Sequence, residues 1–192
     1  PWDMENLLRP SRWQSDWGTL RAEKEGLALR ATRDEDGAAP TTGALAWLVA
    51  SDLFEDFALV IRFQVHAGQF GIRMRARASG EEGVRVLLDA NGNIRAQQKV
   101  FGAEEFTIAT AQRFGAFPGK EQTLHLYLHD RRLYAHLNGA MLFKEPLNLL
   151  DGVRPGLFGL EVWDPEEGRA ATTIRALSFP RPRQTLLNWS VQ

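Results

Sequence analysis

Hydrophobic and polar residues alternate along most of this chain with a period of two, the signature of strands whose alternate side chains face a core. The clearest run is Asp56 to His66, in which Phe57, Leu59, Ile61, Phe63 and Val65 share one face and Asp56, Arg62, Gln64 and His66 the other. Phe70 to Ala78 repeats it, with Phe70, Ile72, Met74, Ala76 and Ala78 set against Gly71, Arg73, Arg75 and Arg77. The short link Ala67-Gly68-Gln69 between the two runs predicts an antiparallel hairpin. Val84 to Asp89 and Ile94 to Gln98 follow, joined by the turn Asp89-Ala90-Asn91-Gly92-Asn93.

A second predicted hairpin joins Thr123 to Asp130 and Arg132 to Asn138. Leu124, Leu126, Leu128, Leu133, Ala135 and Leu137 point inward there, and Thr123, His125, Tyr127, His129, Arg132, Tyr134 and His136 point outward. The dipeptide Asn138-Gly139 is a strong turn signal leading to a short strand at Met141 to Phe143. Gly156 to Trp163 and Thr172 to Phe179 complete the later set, and Leu27 to Thr32 and Ala44 to Val49 read as strands nearer the start. Phe106 to Ala111 is a further strand within the irregular stretch Lys99 to Gln122, and a turn or two of helix is predicted near Leu147 to Leu150.

So many half-buried strands, with turns at short intervals, predict an all-β protein: a two-sheet antiparallel sandwich of the jelly-roll kind. The expected organisation is an N-terminal segment over 1–26 that wraps the sandwich, a sandwich domain over 27–180 and a C-terminal tail over 181–192. At 192 residues the chain is long enough to bury about 70% of its unfolded surface in one core. Lys and Arg total 23 against 24 for Asp and Glu, so no global basic field exists to gather nucleic acid. No apolar run approaches the roughly 20 residues that cross a bilayer as a helix, and membrane insertion is not expected. The absence of cysteine excludes disulfides, thiolate metal sites and a cysteine nucleophile.

Three motifs carry a resemblance. An F-x-D-F strand stands at Phe54 to Phe57, a G-I-x-x-R strand at Gly71 to Arg75, and an L-N-G turn at Leu137 to Gly139. In this order the chain from Leu27 to Phe179 resembles the concanavalin A-like lectin and glucanase superfamily, nearest to the laminin-G-like modules and the bacterial 3-keto-disaccharide hydrolase-like domains. The resemblance implies a jelly roll with a concave sheet on which many members bind or cleave glycans. The E-x-D-x-x-E strand of the glucanases is absent, as is the G-E-W-N turn of the hydrolase-like domains, so no catalytic residue carries over.

Two clusters offer chemistry. His125, Tyr127, His129, Tyr134 and His136 share the polar face of one hairpin, where rings that stack and tips that hydrogen-bond suit a sugar. Arg73, Arg75 and Arg77, with Arg62 and Arg85 nearby, form a row of planar forks that matches carboxylate or sulfate groups and would select an acidic glycan. The plainer reading of both is a solvated sheet face with ordinary cross-strand pairs. The expectation is a glycan-binding or accessory module using its concave face. The alternatives are a glycoside hydrolase or polysaccharide lyase on the same surface, and a structural or protein-interaction domain contacting other domains of a larger protein.

A metal is not expected. His125 and His129 lie four residues apart on a strand, about 13 Å from each other, and His129 with His136 lacks an evident third ligand. The turn after Asp89 opens like a calcium loop, but Ile94 and Val100 stand at its sixth and twelfth positions. Calcium at Asp164 to Glu167 has no supporting pattern, so no cofactor is assigned. Of the six tryptophans, Trp47 and Trp163 are expected in the core or at its rim, whereas Trp2, Trp13, Trp17 and Trp189 are expected to pin the terminal segments. An extracytoplasmic or secreted location fits this reading, with a cytoplasmic one as the alternative.

Overall fold

The computed structural model describes residues 6–31, 43–49, 51, 54–113, 119–144, 146–152, 154–164 and 168–180. After a 3-10 turn at Pro10–Arg12, the strands in chain order begin with β1 (Trp13–Trp17), β2 (Thr19–Glu23), β3 (Gly26–Arg30), β4 (Gly43–Leu48) and β5 (Phe57–Ala67). The middle of the chain supplies β6 (Gln69–Ala76), β7 (Gly83–Asp89), β8 (Asn93–Lys99), β9 (Phe106–Gln112) and β10 (Glu121–His129). The last five are β11 (Arg132–Leu137), β12 (Ala140–Met141), β13 (Leu147–Asn148), β14 (Leu157–Trp163) and β15 (Ala171–Ser178).

They build two antiparallel sheets. One has the order β1-β4-β14-β6-β7-β8-β9, and the other β12-β11-β10-β5-β15-β3-β2, with β13 added beside β11. The predicted sandwich is therefore observed. Its core lies between the sheets and contains the inward residues read from the alternation, among them Leu59, Ile61, Phe63, Phe70, Ile72, Met74, Leu124 and Leu126. Among the described residues no helix is long and apolar enough to cross a membrane.

The expected hairpin of β5 and β6 does not form. β5 pairs with β10 and β15 in the eight-stranded sheet, whereas β6 pairs with β14 and β7 in the other. The link at Gly68 carries the chain across the core, so that Phe63 and Phe70 meet there with tilted rings, centroids 4.9 Å apart. Alternation marks which side of a strand is dry but not which strand it pairs with, and two dry faces are buried equally well by folding over the core. Gly68 makes the crossing at φ +71°, where a Cβ would stand 2.6 Å from the Trp163 carbonyl oxygen.

A second departure lies within β6. Arg73 stands opposite Gly159 and Ala76 opposite Leu157, so Met74 and Arg75 together face the single residue Phe158, which is a β-bulge. Arg75 takes up the extra residue at φ +48°. Beyond it the alternation reverses, and Ala76, expected in the core, packs on the outer face beside Leu45 and Trp47.

Two smaller corrections concern the ends. Residues 13–23, expected as part of a wrapping segment, are edge strands: β1 closes one sheet and β2 the other. Leu147 and Asn148, expected in a helical turn, pair with Leu133 and Arg132 as β13. Trp13 does pin the N-terminal segment, for its buried indole nitrogen donates to the Leu7 carbonyl at 2.7 Å. Trp2, Trp189 and the tail over 181–192 fall outside the described residues.

Candidate functional site

The outer face of the seven-stranded sheet carries a groove of about 800 Å³ across β14, β6, β7 and β8. Strand register fixes three rows of outward positions. Trp163, Gln69 and Asp89 form the first; Glu161, Gly71, Leu87 and Arg95 the second; Gly159, Arg73, Arg85 and Gln97 the third. Trp17, Glu105 and Asp164 add to the wall.

The centre of this surface is Glu161, a carboxylate with only 5% of its side chain exposed. Arg73 donates to its Oε2 from Nε at 2.7 Å, and Arg85 donates to its Oε1 from Nη1 at 3.2 Å. Arg85 also pairs with Glu105 and donates to Gln97 Oε1 at 3.3 Å. Burial acts to lower the Arg85 pKa, but Glu161 and Glu105 outweigh it and hold the guanidinium above its ordinary value.

Two glycines make the room. A Cβ on Gly71 would fall 2.6 Å from Glu161 Cγ and 2.7 Å from Leu87 Cδ2, and one on Gly159 would fall 2.6 Å from the Trp47 ring. The carboxylate and the indole thus lie down in the gaps these glycines leave, and Arg73 packs over Trp47 at 5.8 Å from the ring centroid. Trp163, 43% exposed, stands at the rim, braced edge-on by Trp17 at 6.2 Å.

Of the arginines expected to act together, Arg73 and Arg85 enter this groove, whereas Arg62 stands on β5 in the eight-stranded sheet. The bulge turns Arg75 inward, where its Nε donates to the Glu55 carbonyl at 2.9 Å and its Nη2 to Asp56 at 3.0 Å. Arg77 donates to the Pro155 carbonyl at 2.8 Å and lies 3.7 Å from the buried Glu82. Both serve the fold.

The histidines and tyrosines do gather as expected, but on the opposite side of the sandwich. His125 pairs with His136, Tyr127 with Tyr134, and His129 with Arg132 on the outer face of the eight-stranded sheet. Tyr127 is buried, stacks on His129 at 5.8 Å and meets Tyr134 at 5.7 Å. Burial first, then Asp56 and Tyr134, pushes its hydroxyl pKa up. His129 Nδ1 lies 2.7 Å from Asp56 Oδ2, and Asp56 Oδ1 accepts from the Asp130 amide at 2.8 Å. Asp56 therefore ties the start of β5 to the β10–β11 turn and to Arg75, which gives the F-x-D-F motif a structural role. Arg73 and Arg85 share no surface with the imidazoles, because the core lies between the two sheets.

Glu161, Trp163, Gln69, Asp89 and Gln97 were not singled out for binding by sequence reasoning. One signal was present: Glu161 is the only charged residue in the otherwise apolar run from Leu157 to Trp163. Among the described residues no three of His, Cys, Asp and Glu gather to hold a metal.

The pKa values of His66, His125 and His136 are lowered, chiefly by burial. A histidine with a depressed folded pKa binds fewer protons when folded, so stability is present above its unfolded pKa of about 6.5 and is lost as pH falls through the folded value. Urea midpoints are expected to drop between pH 7.5 and pH 5, and the drop should shrink in His125→Gln. An unchanged pH slope in that variant would contradict the assignment.

No family model matches the sequence, and no curated protein matches it. Solved structures do. A carbohydrate-binding module, CBM66 from Bacillus subtilis, superposes with a TM-score of 0.68 at 19% identity, covering 88% of this chain and 96% of that one. The carbohydrate recognition domain of Emp46p in its potassium-bound form gives 0.65 at 14% identity, with coverage of 92% and 94%. A native glycosidic hydrolase gives 0.63 at 11% identity, with coverage of 90% and 91%.

Proposed function

From the concanavalin A-like sandwich fold that the chain shares with these structures, we propose that it is a carbohydrate-binding module whose site is the groove on the seven-stranded sheet, and that its ligand is an uncharged glycan. The observation that carries the reading is the groove itself: a trough of about 800 Å³ with mixed polar and apolar walls and an exposed, edge-braced Trp163 at its rim. A cavity of this size suits a few sugar units. An indole presents a flat apolar face to the C–H side of a pyranose or furanose ring, while Gln69 offers a donor and an acceptor to hydroxyl groups, beside Asp89 and Gln97, whose polar atoms are held by neighbours in the wall.

Charge argues for a neutral ligand. The lining holds three cations, Arg73, Arg85 and Arg95, against four carboxylates, Asp89, Glu105, Glu161 and Asp164. Two of the three guanidiniums are already paired within the wall. At Arg73 or Arg85 a uronate or sulfate would have to displace a partly buried ion pair, whereas a hydroxyl can share it; only the exposed Arg95 stands outside these pairs. Both oxygens of Glu161 are engaged by arginine, which supports binding rather than acid–base cleavage. An extracytoplasmic location belongs to the same proposal, since glycans of this kind are met there.

Calorimetry against neutral and uronic-acid polysaccharides tests this. Binding to at least one neutral glycan is expected, and Trp163→Ala should weaken it at least tenfold, about 1.4 kcal/mol. No new reducing ends should appear on prolonged incubation. A preference for polyuronates, or full affinity in Trp163→Ala, would refute the reading.

A further inference from the structure

The groove does not end at its third row. One row further along the strands, Leu157 stands opposite Ala76, and Gly83 opposite Lys99. Ala76 reaches this outer face only because the bulge at Arg75 has reversed the alternation. A Cβ on Gly83 would fall 3.1 Å from Ala76 Cα, so β6 and β7 carry nothing larger than one methyl group here. The result is a second cavity of about 220 Å³, floored by Ala76 and Gly83 and lined by Glu82, Lys99 and Glu105. The two cavities share Arg73, Arg85 and Glu105, so they meet at the Arg85–Glu105 ion pair. From Asp89 in the first row to Gly83 in the fourth is six residues of β7, which spans about 20 Å at roughly 3.3 Å per residue.

Lys99 sets the second cavity apart. Its side chain is half-buried, and among the described residues it has no hydrogen-bond or ion-pair partner. The carboxylates of the same cavity are already engaged, Glu82 by Arg77 and Arg154 and Glu105 by Arg85. An ammonium brings three N–H donors on a flexible stem. The cavity therefore combines free donors with a small apolar floor, which suits the hydroxyls and the C–H face of a sugar ring. A uronate or sulfate gains little there, because two carboxylates share the lining with the one unpaired cation.

On the glycan reading of the groove, we infer that this cavity is a further sugar subsite and that the module selects its ligand by length. The ligand is a linear uncharged chain long enough to lie along the strands from Trp163 to Lys99, in preference to a mono- or disaccharide. Lys99 is then a specificity residue. It meets only chains that pass over the Arg85–Glu105 pair, and it adds nothing to the affinity of shorter ones.

The experiment is calorimetric titration of the full chain with β-1,3-glucan, β-1,4-glucan, β-1,4-xylan and β-1,4-mannan and with their oligosaccharides of two to six units. Acetylation of the four lysines, followed by mass spectrometry with and without ligand, gives a second readout. In at least one series, affinity should rise at least tenfold from the shortest chain that binds to the longest. Lys99→Ala should weaken the longest chain at least fivefold and leave the shortest within twofold. Lys24→Ala, in the turn between β2 and β3, should change neither. Lys99 alone should be shielded from acetylation by the longest chain, and the shortest should not shield it. Affinity that does not change with length, equal losses for short and long chains in Lys99→Ala, or acetylation of Lys99 unslowed by the longest chain would each overturn the subsite and leave the groove standing. No binding to any of the four polysaccharides or their oligosaccharides would overturn the glycan reading and the subsite together.

Discussion

Replacing Glu161 with alanine is expected to abolish glycan binding and to lower stability by about 2 kcal/mol. The carboxylate is almost wholly covered, and its two partners have 18% and 26% of their side chains exposed. Removing one member of a fully buried pair typically costs about 3–5 kcal/mol, because the remaining charge is stranded. Arg73 and Arg85 still reach water, which moderates the loss. For a chain of this length the change corresponds to a fall in melting temperature of roughly 4–8 °C. The effect on binding should be larger, at least a hundredfold, since without Glu161 two like charges face each other across the groove floor and neither guanidinium keeps its place over Trp47. Glu161→Gln separates the two effects: it preserves shape and one set of hydrogen bonds, so most of the stability should return while affinity stays reduced at least tenfold. Calorimetric titration together with thermal denaturation of both variants would decide it. Unchanged affinity in Glu161→Ala would show that the groove is not the site.

The same residue marks where sequence reading stops. Alternation placed Phe63, Ile72, Leu126 and their neighbours in the core, and they are there. It also placed Tyr127, Tyr134, His125 and His136 on one face of one hairpin, and they share it, since a tight turn at Asp130-Arg131 fixes the register of its own hairpin. Neighbours distant in sequence were not legible. Glu161 and Arg85 are 76 residues apart, and their contact follows from β6 lying between β14 and β7, a pairing that no local pattern encodes. The misreading of β5 and β6 as one hairpin had the largest consequence, because it set Arg73 on the same surface as the imidazoles. The bulge at Arg75 was hidden for a different reason: one extra residue reverses inside and outside, and Arg-x-Arg-x-Arg reads identically with or without it. The superfamily resemblance held at the level of fold because its motifs have fold-building roles. Asp56 anchors a turn, and Asn138-Gly139 closes a hairpin.

Phe158→Ala should be the most destabilising single change, by about 3–5 kcal/mol, and it should leave the groove intact. Phe158 is fully buried, with ring centroids 5.1 Å from Phe179, 5.9 Å from Phe57, 6.2 Å from Trp13 and 6.3 Å from Phe54. Through these contacts one side chain of β14 joins the seven-stranded sheet, its edge strand β1 included, to the start of β5 and to the residue after β15. Its backbone amide donates to Ser51 Oγ at 2.9 Å, which keeps the strand in position even without the ring. Alanine would therefore leave a cavity that the surrounding strands cannot close, and a loss of this size is a large share of the 5–15 kcal/mol that holds a typical domain together. The melting temperature should fall by roughly 10 °C or more. Yet Leu157 and Gly159, the flanking residues, face the other way, toward the outer surface, so at low temperature the folded fraction should bind glycan within about threefold of the parent chain. This is the converse of Glu161→Gln, which keeps the fold and loses affinity. Urea denaturation and titration at 10 °C measure both quantities on both variants. A loss below 1 kcal/mol in Phe158→Ala would mean that the aromatic cluster does not close the sandwich, and a parallel loss of affinity would mean that groove and core are not separable.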